Sequence, residues 1–185
     1  MTMNDYYLFY KIKKYWGITR LIGTKGLDFW IAVTVTSSFL LLYILKIIDL
    51  NWRDGTLSYS TLLISSISLS LALIGLLYTY RSKFNQDNDF NTWLIKKDVI
   101  DELELLIDYP LFVIVISIIV SVSYGILLIM FKISNETMAI IFAIPIFFVT
   151  YGYAGFIYAM KTISYYSHAS NKFKKQVMIK HRGEK

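Results

Sequence analysis

LFVIVISIIVSVSYGILLIMF, residues 111–131, decides the fold. No charge and no proline interrupts it, and as a helix it is about 30 Å long, the thickness of a bilayer's hydrocarbon core. Backbone N–H and C=O groups find no partner in lipid, so such a run must close its hydrogen bonds within itself, as an α-helix does. Three further blocks share its character, from about Leu27 to Ile48, Leu57 to Tyr80 and Met138 to Met160. The expected fold is an all-α membrane protein of four transmembrane helices.

Composition agrees with lipid as the solvent. The chain has 185 residues, 56% hydrophobic and only 17% charged, with mean hydropathy +0.50, against roughly 25% charged in soluble domains. Asp54 and Gly55 turn the chain before span two, Pro110 is expected at the first position of span three, and Ser134 and Asn135 are expected to cap span four. Trp30 and Trp52 suit the aromatic belts at the two surfaces of a bilayer. The first apolar block follows a basic, aromatic lead, so no cleaved signal peptide is expected. The organisation is a basic amphipathic segment (1–26), a membrane domain (27–160) with a loop at 81–110, and a basic tail (161–185).

Orientation follows from Lys and Arg, which accumulate on the cytoplasmic side of short loops. Sixteen of the nineteen fall before span one, between spans two and three, or after span four. The opposite side receives Lys46, Arg53 and Lys132. Both termini are therefore expected in the cytoplasm.

Two segments outside the spans are amphipathic at helical period. From Asp5 to Ile22, Leu8, Phe9, Ile12, Tyr15, Trp16 and Ile22 share one arc while Lys11, Lys13, Lys14 and Arg20 take the rest, the pattern of an interfacial helix on anionic headgroups. A plain topology anchor fits the same pattern. From Trp93 to Asp108, Trp93, Ile95, Val99, Ile100, Leu103, Leu106 and Ile107 occupy half the wheel, broken by Lys96, and Lys97, Asp98, Asp101, Glu102, Glu104 and Asp108 occupy the other half. This cytoplasmic helix is acidic, so an anionic leaflet repels it and its apolar face needs protein. It either packs on its own bundle and basic tail or docks a cytosolic protein through Trp93, Asp98, Asp101, Glu102, Glu104 and Asp108.

No ionisable residue occupies the middle of a span; Asp28, Lys46 and Lys161 are expected at edges within reach of water. That argues against a proton-coupled transporter. Pro145, Gly152 and Gly155 are candidates to kink span four, with no matching broken helix elsewhere. Span two carries a stripe of small residues, Thr61, Ser65, Ser68, Ala72, Gly75 and Thr79, and span three carries Ser117, Ser121 and Gly125. Small residues let helices approach closely. Such seams serve packing within one bundle, a joint between protomers or a hydroxyl-lined pore.

Catalytic constellations are not found. There is no cysteine, the histidines are His168 and His181 in the basic tail, and Asp101 and Glu102 have no partner base or nucleophile in view. No enzyme activity, cofactor or metal is expected. The tail from Asn171 to Lys185 reads as a topology and lipid-binding element, without direct nucleic-acid binding.

Four spans with cytoplasmic ends, a basic aromatic start, an acidic cytoplasmic helix and a basic tail resemble the KwaA family, the membrane subunits of Kiwa antiphage defence systems. More loosely, the pattern resembles the four-span effectors linked to bacterial nucleotide-signalling defence. The first resemblance implies an inner-membrane homo-oligomer that detects phage attack and works through a cytosolic DNA-binding partner. It carries over no functional residue. Two functions follow as expectations: a non-enzymatic membrane subunit that senses bilayer state and holds or releases a cytosolic partner, or an oligomeric membrane-perturbing effector.

The topology is testable by single cysteines. At Asn51 and Asn135 they should react with an impermeant thiol reagent in intact spheroplasts, and at Asn85 only after lysis; labelling of Asn85 in intact cells would invert the orientation.

Overall fold

The computed structural model describes residues 26–47, 59–83, 88–97, 99–130 and 135–183, and among these there are five helices and no strand. They are α1 (Leu27–Ile44), α2 (Tyr59–Arg81), α3 (Asp89–Lys96), α4 (Ile100–Met130) and α5 (Asn135–Gly183). All except α3 are long and apolar enough to cross a membrane. The interfacial helix expected over Asp5–Ile22, with Lys11, Lys13, Lys14 and Arg20, lies outside the described residues, as does Asp49–Thr56.

The middle of the bundle is the antiparallel pair α4 and α5, with α1 leaning on α5 and α2 on α4. Direction is fixed by contacts at both ends. Phe29 meets Tyr151 and Phe39 meets Phe142, so α1 and α5 run oppositely. Arg81 meets Asp108 while Leu63 shares a cluster with Tyr124, so α2 and α4 do too. Leu77, Ile107, Ile114, Ala159 and Ile163 form the main buried cluster. Only 11% of the apolar window of α1 and 17% of that of α2 are buried, against 39% for α4 and α5; the outer two helices thus turn most of their surface away from the protomer.

The α4–α5 contact depends on two glycines. A Cβ on Gly152 would lie 2.9 Å from Ile114 Cγ1 and 3.4 Å from its Cα, and one on Gly155 would lie 3.2 Å from the Pro110 ring. α5 runs through these glycines as one continuous helix, and they admit the facing side chains. Ala139, Ala143, Ala154 and Ala159 on the same helix are also buried, which is how small residues let two helices close up in lipid.

Several expectations are corrected. Pro110 is inside α4, not at its start, because Ile100–Tyr109 forms nearly three further turns that bury Leu105 and Ile107 against the bundle. The structure adds that the basic tail continues span four as helix, α5 running to Gly183, about 35 Å beyond Met160. Asp28 does not reach water. It is 2% exposed, with one carboxylate oxygen unpartnered, because the first turn of α1 is pressed onto the bundle.

Of the two small-residue stripes, that of span three is internal at Ser117 and Ser121, each 1% exposed, with Gly125 half-buried. The span-two stripe is the reverse: Thr61, Ser65, Ser68, Ala72, Gly75 and Thr79 are all exposed. α2 packs through its other face, by Leu63, Ser70 and Leu77. Helix α1 ends where Lys46 takes φ 55° and the amides of Lys46 and Ile47 bond back to the carbonyls of Tyr43 and Leu42, a left-handed stop of the kind glycine usually supplies.

Gly152→Leu should destabilise the protomer by about 1–3 kcal/mol through overpacking, seen as a lower unfolding midpoint in detergent micelles. Gly75→Leu, whose Cβ meets nothing within 4 Å, should leave the midpoint of a solubilised monomer unchanged. Equal midpoints for Gly152→Leu and wild type would mean that α4 and α5 do not close on that glycine.

Candidate functional site at the basic end of the bundle

The end where α2 stops and α4 starts gathers charge. Arg81 forms a two-pronged pair with Asp108, Nε to Oδ1 at 2.5 Å and an Nη nitrogen to Oδ2 at 3.2 Å. Lys83 Nζ lies 4.7 Å from the Tyr80 ring centre and Lys161 Nζ 5.8 Å from that of Tyr165. Amphipathic rings and long cations at one level are what a bilayer surface selects. The candidate span Ala139–Gln176, 38 residues, is about 57 Å long and exceeds a ~30 Å core. The belt therefore assigns the part of α5 beyond about Met160 to the aqueous side.

Helix α3 docks on that protruding part. Asn88 caps it, its side-chain oxygen accepting from Asn91 N–H at 2.8 Å. Asn91, 3% exposed, donates through its side chain to the Lys83 carbonyl at 3.2 Å and accepts from the Tyr166 hydroxyl at 2.5 Å. Around this amide, Phe90 contacts Trp93, Tyr166 and Phe173, with ring centres 5.3–5.9 Å apart. Trp93 also reaches Phe173, at 5.9 Å. Buried polar groups that are fully paired specify one arrangement of the helices around them. The result is a small platform, with α3 bound across α5 by rings and one amide.

The acidic helix expected from Trp93 to Asp108 is two elements. The helix stops at Lys97, whose amide bonds to the Trp93 and Leu94 carbonyls, and restarts at Ile100 as the first turn of α4. Of the expected apolar face, Ile107 is buried and Leu103 packs on the main cluster, whereas Trp93, Ile95 and Val99 stay exposed, and Leu94 and Leu105 are buried in their place. Of the residues assigned to docking, Trp93 remains 42% exposed, Asp108 is held by Arg81, and Asp101 and Glu104 are half-buried on α4. Glu102 is on the same turns of α4, and Asp98 is outside the described residues. The docking set is thus divided between a ring platform and an acidic patch beside Arg81.

Phe90, Asn91, Tyr166 and Phe173 were absent from the sequence assignment. Tyr166 and Phe173 stand seven residues apart, two helical turns on one face, a signal that appears only once span four is continued past Met160. Asn88 three residues before Asn91 is a capping pattern that marks the start of α3.

Asn91→Leu should leave the four spans intact and loosen α3. Losing its bonds to Lys83 and Tyr166 leaves buried partners unpaired at about 1–3 kcal/mol, so amide exchange over residues 89–96 should accelerate roughly ten- to hundredfold. Unchanged exchange would show that the rings alone hold the helix.

No protein-family model, curated protein or solved structure matches the chain.

Proposed function

We propose that this chain is a non-enzymatic membrane subunit that senses the state of the bilayer and holds or releases a soluble partner at the basic-end platform. One observation carries this: α5 passes as a single 49-residue helix from the membrane bundle into the platform. A helix transmits tilt. Helices tilt to match bilayer thickness, and a tilt of about 10° moves the end of a ~35 Å lever by about 6 Å. Such a displacement is large compared with the contacts by which a partner is held.

The resemblance to the Kiwa membrane subunits supports a role in antiviral defence, with phage attack as the disturbance, the bacterial inner membrane as the site and both ends cytoplasmic. The outward stripe of α2 supports a homo-oligomer, since Ser68, Ala72 and Gly75 leave a second copy room to approach closely. That same stripe favours the second reading, a pore-forming effector, because Thr61, Ser65, Ser68 and Thr79 carry hydroxyls. Against it, the Thr79 hydroxyl already bonds to the Gly75 carbonyl at 2.8 Å.

Spin labels at Leu41 and Lys175, in full-length protein diluted with unlabelled copies, should change separation by several ångströms between thin and thick lipid bilayers. Ser164→Pro, which breaks α5 below the bundle, should abolish that change. Distances that ignore bilayer thickness in the unbroken protein would overturn the sensor reading, and leakage of a trapped dye from the same vesicles would favour the pore.

A further inference from the structure

Among the described residues, the exposed charges next to the ring platform are mostly lysines. Trp93, 42% exposed, is one helical turn from Lys96, the last residue of α3, and Lys97, which caps it, both exposed. Its neighbour across the groove, Phe173, lies between Lys172 and Lys174, also exposed. Asp89, one turn before Trp93, is the opposing charge on that face of α3. Among the described residues, Glu104 and Asp108 stand instead on α4, where the charge of Arg81 interacts with both, and Asp101 is half-buried on the same helix.

We infer that the platform is a docking site for an acidic protein segment with an apolar anchor, the anchor resting on Trp93 and Phe173 and the carboxylates facing Lys96, Lys97, Lys172 and Lys174. This names the chemistry of the partner and rests on the function proposed above. A central aromatic with a charged rim is the layout in which the ring supplies affinity and the rim supplies steering and specificity. Phe173 is about 12 Å along α5 from Tyr165 of the interfacial belt, beyond one Debye length at physiological salt, so a protein segment is favoured over a lipid surface as the occupant. Nucleic acid is disfavoured by compactness: the cations cluster around one aromatic pair instead of following a phosphate backbone, and Asp89 shares their face.

The test uses the full-length protein in nanodiscs and a fluorescein-labelled peptide of alternating Glu and Leu, read by anisotropy. A matched peptide with Lys in place of Glu, oligouridine RNA and anionic vesicles serve as alternative probes. The acidic peptide should bind, lose affinity steeply as salt rises, and weaken about tenfold on Trp93→Ala. Lys172→Glu with Lys174→Glu leaves the ring cluster unaltered and should weaken it at least as much, which keeps the result meaningful if Trp93→Ala unseats α3. Failure of the acidic peptide to bind, binding unaffected by the lysine reversals, or tighter binding of RNA or vesicles would each overturn the proposal. The spin-label response to bilayer thickness needs no partner, so loss of this inference and loss of the sensor reading are told apart.

Discussion

The rest of the molecule depends on the closeness of α4 to α5. In lipid, apolar surface gains nothing by leaving its solvent, so two helices stay together only by packing and by the few polar contacts between them. Gly152 accepts Ile114 and Gly155 accepts Pro110, which puts dispersion contacts where side chains would otherwise hold the backbones apart. Pro110 becomes tolerable inside a helix for the same reason: its ring is buried against Gly155, and the turns before it are held by Leu105 and Ile107. The outer helices then add to a pair already formed, α1 through Phe29 and Phe39, α2 through Leu63 and Leu77.

From that pair the arrangement at the basic end follows. Because α4 is pressed to α5 at Pro110, its first turns must run alongside the aqueous part of α5, and Asp108 comes within reach of Arg81 at the end of α2. The ion pair lies partly exposed at the level of the interfacial rings, where its contribution is modest, yet its two-pronged geometry fixes where α2 ends. Helix α3, tethered between α2 and α4, touches α4 and lies across α5, where Tyr166 and Phe173 supply the surface. The proposed coupling of membrane to platform thus needs no flexible linkage; it uses one helix belonging to both.

What stays outward is as informative as what is buried. The span-two stripe shares its residue types with the buried contacts of α5, but a small residue has no direction of its own. Thr61, Ser65, Ser68, Ala72, Gly75 and Thr79 lie on the outer face because Leu63, Ser70 and Leu77 take the inner one.

The sequence by itself determined that four helices are long and apolar enough to cross a bilayer, since uncharged apolar runs of this length leave the backbone no alternative in lipid. It also determined the uneven distribution of Lys and Arg, which is a matter of counting along the chain. Only the tertiary structure decided that Gly152 and Gly155 are contact points between α4 and α5, that Ser117 and Ser121 face inward while the span-two stripe faces outward, and that Trp93 packs against Phe173. Helical periodicity assigns a residue to a face, and which neighbour covers that face is set by the rotation of each helix about its axis. That rotation is fixed by contacts between residues far apart in the chain, such as Pro110 with Gly155 and Phe90 with Phe173.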